Sequence, residues 1–94
     1  PKAGYFWLRG EVWGKKRDFE RAIEDYTSAI NKDPHFAVAY TDRGSCYISM
    51  GKYETALADY KKALELIPAD DQTPYALLIR KVALKAIHDF AHKT

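Results

Sequence analysis

Cysteine, proline and glycine are scarce in this chain, and no long apolar run interrupts it. One of its 94 residues is a cysteine, Cys46, so an internal disulfide is excluded and an oxidising compartment is not required. No apolar stretch of the sequence approaches the ~20 residues that a membrane-spanning helix needs. We therefore expect no membrane partner and a cytoplasmic location.

An excess of charge of one sign is also lacking, because 15 lysine and arginine residues nearly balance 13 aspartate and glutamate residues. The net charge of +2 is too small and too evenly spread to indicate nucleic acid or an acidic membrane as the main partner. Large apolar side chains, by contrast, are plentiful, with 47% hydrophobic and 14% aromatic residues. They predict a single folded domain over residues 1–94.

Motifs of catalysis and metal binding are missing from the sequence as well. It has no glycine-rich phosphate loop, no GxSxG motif and no paired-carboxylate constellation. His88 and His92 have the spacing of zinc ligands, but no third ligand stands near them, and two polar residues near a helix end are the simpler interpretation. Cys46 is interpreted as a small buried side chain. We expect no catalytic residue, no metal and no cofactor, and therefore no enzyme.

Residues 3–36 and 37–70 are two copies of one pattern and align with each other without a gap. Each copy predicts two helices, because apolar residues recur three and four positions apart on both sides of a turn. Asp18 is the predicted N-cap after the first turn and Gly51 the left-handed cap in the second. The copies are identical at nine positions: Ala3/Ala37, Arg9/Arg43, Gly10/Gly44, Glu20/Glu54, Ala22/Ala56, Asp25/Asp59, Tyr26/Tyr60, Ala29/Ala63 and Pro34/Pro68.

These residues resemble the tetratricopeptide repeat family, both in the order of their aromatic, glycine, alanine and proline positions and in the length of the repeat. The resemblance implies an all-α fold, namely a right-handed α-solenoid of two antiparallel helix hairpins and a terminal capping helix, five helices in all. Neighbouring hairpins complete one another's core in such arrays.

The capping helix is predicted at residues 73–92, where Thr73 serves as N-cap and Pro74 occupies the first helical position. An alternative is that this segment is the first helix of a truncated further repeat. Its predicted apolar stripe consists of Tyr75, Leu78, Ile79, Val82, Ala86, Ile87 and Phe90.

Both copies depart from the family pattern at one position, where an arginine replaces the usual leucine. Arg9 and Asp25 lie equally far from the first turn on opposite sides, and Arg43 and Asp59 flank the second turn in the same way. Such residues face each other in an antiparallel hairpin, so we predict structural ion pairs Arg9–Asp25 and Arg43–Asp59, either across each hairpin or between neighbouring units. The alternative is that these arginines bind a ligand carboxylate.

The resemblance also implies a ligand surface on the concave side of the array, lined by the first helix of each hairpin. A mixed surface of this kind suits an extended peptide or an amphipathic helix, so we expect a protein-interaction scaffold. The alternatives are self-assembly into a homodimer and an accessory role in a larger, enzymatic protein. Carried over by position, the surface comprises Trp7, Leu8, Glu11, Lys15, Thr41, Asp42, Ser45, Ile48, Ser49, Leu77, Arg80 and Leu84.

One subfamily grips the acidic C-terminal tails of heat-shock chaperones with a clamp of lysine, asparagine and arginine side chains. None of the matching positions in this chain carries such a donor, and the carboxylates of Glu11 and Asp42 would repel an acidic tail. We therefore expect no chaperone-tail clamp. The matching positions are Trp7, Glu11, Asp42, Thr73 and Leu77.

Overall fold

Five α-helices make up the computed structural model, which describes residues 1–92 and leaves residues 93 and 94 of the predicted domain outside the described part. The prediction of an all-α fold with five helices is confirmed. Helices α1 and α2 pack as one hairpin, α3 and α4 as the next, and α5 packs on α4 and reaches α3. The helices are α1 (Ala3–Lys15), α2 (Phe19–Lys32), α3 (Ala37–Ser49), α4 (Tyr53–Glu65) and α5 (Pro74–Ala91). Within residues 1–92, none of them is long and apolar enough to cross a membrane.

Local sequence signals set the helix boundaries. The Asp18 side chain accepts a hydrogen bond from the backbone N–H of Arg21 at 3.2 Å, and that of Thr73 accepts one from Ala76 at 3.2 Å. Both residues are therefore N-caps, as predicted. Gly51 has a φ of 77°, in the left-handed region that favours glycine, which confirms its predicted role in the second turn.

Arg17 has the position in the first turn that Gly51 has in the second, and its φ is also positive, at 62°. A side chain in this region carries a penalty of roughly 1 kcal/mol, which glycine avoids. We expect Arg17→Gly to raise the free energy of unfolding by about 0.5–1 kcal/mol in urea denaturation. The reciprocal Gly51→Arg should lower it. A loss of stability in Arg17→Gly would show that the guanidinium stacked 5.2 Å from the Phe19 ring centre outweighs the backbone strain.

Small residues allow the two helices of each hairpin to approach closely. A Cβ atom on Gly10 would lie 2.7 Å from the ring of Tyr26, and one on Gly44 would lie 3.0 Å from the ring of Tyr60. Each tyrosine therefore packs directly on the backbone of the preceding helix. The fully buried alanines of the second helices are Ala22, Ala29, Ala56 and Ala63.

Helix α5 buries a face that matches its predicted apolar stripe only in part. Ala76, Ile79 and Ala83 are buried, whereas Leu78 is 57% exposed and Tyr75 is 45% exposed. The predicted stripe is wrong for Tyr75 and Leu78 and correct for Ile79, and its members Ala86 and Ile87 pack against the buried cluster of Ala56, Tyr60 and Ala83.

The frame of the repeat also ends before α5. Helix α3 begins one full repeat after α1, at Ala37, and a third repeat of equal length would begin at Asp71. Helix α5 begins later, at Pro74, because the connection 66–73 that precedes it is longer than the connection between α2 and α3.

Candidate functional site

One arginine–aspartate pair joins the two helices of each hairpin. Arg9 donates from Nε and Nη2 to the two carboxylate oxygens of Asp25 at 2.9 and 2.8 Å, and Arg43 contacts Asp59 likewise at 2.9 and 2.7 Å. The structure thus brings together the residues of both predicted pairs. Their carboxylates satisfy the guanidinium groups within the hairpin, and the Asp59 hydrogen bonds raise the pKa of Arg43.

A cavity of about 240 Å³ opens between the first helices of the two hairpins, and we call it the acid-pair cavity. Its floor contains the carboxyl groups of Glu11 and Asp42, one from α1 and one from α3. The aromatic rings of Phe19 and Tyr26 form its α2 wall. The complete lining is Glu11, Gly14, Lys15, Phe19, Tyr26, Asp42, Ser45, Cys46 and Ser49.

The two carboxyl groups are held in place by aromatic donors. The indole N–H of Trp7 donates to Asp42 Oδ2 at 2.7 Å, and the Tyr26 hydroxyl donates to Glu11. Burial raises the pKa of Asp42 to about 7; the bond from Trp7 opposes this shift, and the charge of Glu11 and a hydrogen bond to it add to it. Near pH 7 the pair therefore shares one proton in a large fraction of molecules.

The thiol of Cys46 lies at the same cavity and is not a nucleophile. Burial raises its pKa to about 11, and the nearby carboxylates of Asp42 and Glu11 contribute to the shift. The group is therefore a neutral thiol at physiological pH, in keeping with its interpretation as a small buried side chain. Within residues 1–92, no three metal-ligating side chains are grouped as a metal site.

A second cavity, of about 350 Å³, lies one repeat further along, and we call it the apolar cavity. Ile48, Tyr53 and Tyr60 occupy in it the positions that Gly14, Phe19 and Tyr26 occupy in the acid-pair cavity. The two cavities therefore follow the repeat and form one row, which we call the groove. The remaining residues of the apolar cavity are Ala56, Leu57, Val82, Lys85, Ala86, Asp89 and Phe90.

The structure places the predicted ligand residues in three different environments. Six of them line the groove: Glu11, Lys15, Asp42, Ser45 and Ser49 at the acid-pair cavity, and Ile48 at the apolar cavity. Trp7 borders the groove through its bond to Asp42, and its ring packs against Phe36 with the centres 6.0 Å apart. Leu8 is 59% exposed and lines neither cavity.

The prediction that Thr41 contacts a ligand is wrong, because this residue is only 3% exposed. Its hydroxyl donates to the Val38 carbonyl at 2.9 Å, so its hydrogen atom is not available to a ligand. Leu77, Arg80 and Leu84 line neither cavity, and their contact with a ligand stays a prediction. Arg80 instead donates to the carbonyl groups of Pro68 and Asp71 and so braces the connection before α5.

Sequence reasoning did not place at the ligand surface the residues that α5 contributes to the apolar cavity, namely Val82, Lys85, Ala86, Asp89 and Phe90. The positions of Leu77, Arg80 and Leu84 were carried over from the family's ligand surface, whereas the longer connection 66–73 turns another face of the helix toward the apolar cavity. The sequence signal that could have indicated this change of face is Pro74, the predicted first helical position. It places the start of α5 later than a third repeat of equal length would.

Comparison with known proteins supports the repeat assignment. Residues 37–70 match the family model of the tetratricopeptide repeat. The chain belongs to the tetratricopeptide repeat family. Its fold is similar to a solved structure described as the first TPR of Spaghetti (RPAP3) bound to the HSP90 peptide SRMEEVD. That similarity has a TM-score of 0.74 and 26% identity, and it covers 97% of this chain and 72% of the other.

Curated relatives of this tetratricopeptide repeat chain are much longer proteins. Hsp70-Hsp90 organizing protein 3 of Arabidopsis thaliana is 45% identical over 60% of this chain and 10% of its own length. The SGT1 homolog of Oryza sativa subsp. japonica is 48% identical over 55% and 14%. Serine/threonine-protein phosphatase T of Trypanosoma brucei brucei is 33% identical over 86% and 16%. The chain thus matches at most about a sixth of these relatives, one of which is an enzyme.

These findings make the chain a protein-interaction scaffold, and they overturn one prediction about its partners. The expectation that excludes a chaperone-tail clamp is wrong, because the similar solved structure holds an HSP90 peptide and a relative is an Hsp70-Hsp90 organizing protein. One premise of the expectation also fails, at Asp42. The expectation treated Glu11 and Asp42 as two carboxylates, whereas a pKa of about 7 leaves Asp42 partly protonated near neutral pH.

Proposed function

We propose that the chain binds a short acidic peptide in the groove, and that the HSP90 peptide SRMEEVD represents this class of ligand. The observation that carries the proposal is the groove itself, in a chain that shares its fold with a tetratricopeptide repeat structure bound to that peptide. An extended peptide has side chains of both kinds that the two cavities can accept.

The apolar cavity suits the methionine or valine side chain of such a peptide. Its lining is almost wholly aliphatic and aromatic, and Tyr53 and Val82 remain 39% and 37% exposed without a ligand. A peptide side chain that covers them would remove apolar surface from water, and this contributes a favourable free energy of about 25 cal/mol per Å². The exposed ion pair of Lys85 and Asp89, with 2.9 Å between Nζ and Oδ2, adds the polar part of the lining.

The acid-pair cavity offers donors to a peptide carboxylate. The Ser49 side chain is exposed there, and the Lys15 ammonium group is a second donor. When Glu11 and Asp42 share a proton, their single negative charge is balanced by Lys15. The cavity is then close to neutral, so an acidic peptide meets no net repulsion.

Adding a negative charge to the acid-pair cavity should weaken peptide binding. We expect Ser49→Asp to lower the affinity for SRMEEVD about tenfold in isothermal titration calorimetry, because the new carboxylate repels those of the peptide. The matched control is Thr55→Asp, which makes the same change of charge at an exposed position of α4 that lines neither cavity.

The control should bind as the unaltered chain does. Equal weakening by both variants would point to long-range charge rather than to the groove. Absence of binding by the unaltered chain would reject the proposed function.

A further inference from the structure

We propose that the proton shared by Glu11 and Asp42 makes peptide binding in the groove depend on pH, with tighter binding below neutrality. The inference rests on the proposed function, since it concerns the acidic peptide as ligand. It adds a regulatory property to the site, because a change of one proton in the cavity alters the charge that the peptide meets.

The placement of the pair favours a shared proton, because both carboxyl groups line the same cavity of about 240 Å³. Asp42 is fixed from one side by the Trp7 indole at 2.7 Å and Glu11 by the Tyr26 hydroxyl, so neither carboxyl group can turn away without losing a partly buried hydrogen bond. Two carboxyl groups held together in this way are most stable when one of them carries a proton. The pair also joins α1 to α3, so its protonation bears on the contact between the two repeats.

Asp42 is the group at this site whose titration falls between pH 6 and pH 8. Burial raises the pKa values of Tyr26, Tyr60 and Tyr75, and that of Cys46 to about 11, so these four groups stay neutral in the range. Lys15 is the basic residue in the lining of the cavity. The titratable and charged groups that face the pair or its cavity are Glu11 and Lys15 of α1, Tyr26 of α2, Cys46 of α3, Tyr60 of α4 and Tyr75 of α5.

The sign of the effect follows from the direction of the Asp42 shift, from 3.8 to about 7. Below pH 7 the Asp42 carboxyl group is mostly neutral and above pH 7 it is mostly charged, so affinity for an acidic peptide falls as the pH rises. Fold stability changes in the same direction. The contribution of the shared proton is fully present below about pH 4 and is lost as the pH rises through 7.

The first test follows the Trp7 indole proton of the ligand-free chain by NMR from pH 4 to 9. Because this proton bonds to Asp42, we expect a titration step near pH 7, and Asp42→Asn should abolish it. The asparagine carbonyl can still accept from Trp7, and its NH₂ group can donate to Glu11, so the variant imitates the protonated pair. A step near pH 4 in the unaltered chain would overturn the inference, whether or not the variant folds.

The second test measures the affinity for SRMEEVD at pH 6 and pH 8. If the protonated pair is the binding form, we expect binding to be about tenfold tighter at pH 6, since the protonated fraction changes by that factor. Asp42→Asn should bind equally well at both pH values. This variant keeps His35, His88 and His92, so a pH dependence that persists in it would assign the effect to histidine and overturn the inference.

The outcomes separate the inference from the proposed function. Equal affinity of the unaltered chain at both pH values rejects the pH dependence and leaves peptide binding in place. Absence of binding at both pH values rejects the proposed function and this inference together, even if the Trp7 proton titrates near pH 7.

Discussion

Replacing Asp59 with alanine should lower the free energy of unfolding by about 3–5 kcal/mol, because it leaves the Arg43 charge without its partner in a largely buried position. The Arg43 side chain is 19% exposed and that of Asp59 is 7% exposed, so little water can replace the lost carboxylate. For a domain of this size we expect the melting temperature to fall by more than about 10 °C. Differential scanning calorimetry measures the change.

The first hairpin provides a matched control for this substitution. Asp25→Ala removes the equivalent carboxylate, but the Arg9 side chain is 48% exposed and can turn into water. We therefore expect a clearly smaller loss of stability than in Asp59→Ala. The double variant Arg43→Met/Asp59→Leu should recover much of the loss, because it leaves no charge unpaired. An unchanged melting curve for Asp59→Ala would instead favour the alternative in which these arginines serve a ligand.

Gly10→Ala should destabilise the fold by about 2 kcal/mol, although alanine is the better helix former. The new Cβ atom would lie 2.7 Å from the Tyr26 ring, closer than real contacts allow. Tyr26 is 2% exposed and its hydroxyl is bonded to Glu11, so the ring cannot move aside freely. Urea denaturation of the variant measures the effect.

Gly4→Ala is the control for this prediction, since both glycines belong to α1 and a Cβ atom on Gly4 would meet nothing within 4 Å. We expect this variant to be as stable as the unaltered chain or slightly more stable. If Gly10→Ala were equally well tolerated, the close packing of Tyr26 on the α1 backbone would not be a requirement of the hairpin. A shift of the Asp42 titration in Gly10→Ala would show that the same packing also positions the acid pair.

Much of the fold could be predicted because repeat proteins build their structure from contacts between near neighbours. The match of Gly10 with Gly44 and of Tyr26 with Tyr60 indicates the helices and turns before any tertiary contact is known. It also indicates which sides of the two helices face each other in each hairpin. Asp18 and Thr73 mark helix starts in the same local way, through a side-chain oxygen next to free backbone N–H groups.

The site was predicted less completely, because its properties depend on distances that the sequence does not contain. From the sequence alone, Glu11 and Asp42 were expected to be two carboxylates that repel an acidic peptide tail. Thr41 was expected to lie on the ligand surface. Their environments come from the tertiary packing, which brings Trp7 of α1 to Asp42 of α3 and leaves Thr41 buried. The face of α5 at the groove likewise depends on the length of the connection 66–73.

The sequence by itself therefore determined the repeat, the number and order of the helices, and the arginine–aspartate positions of each hairpin, because all of these depend on spacing along the chain. The tertiary structure decided the charge state of the acid pair, the burial of Thr41 and the contribution of Val82 and Ala86 to the groove. Those properties arise from burial and from contacts between helices that lie far apart in the chain, and a pattern of spacing does not contain them.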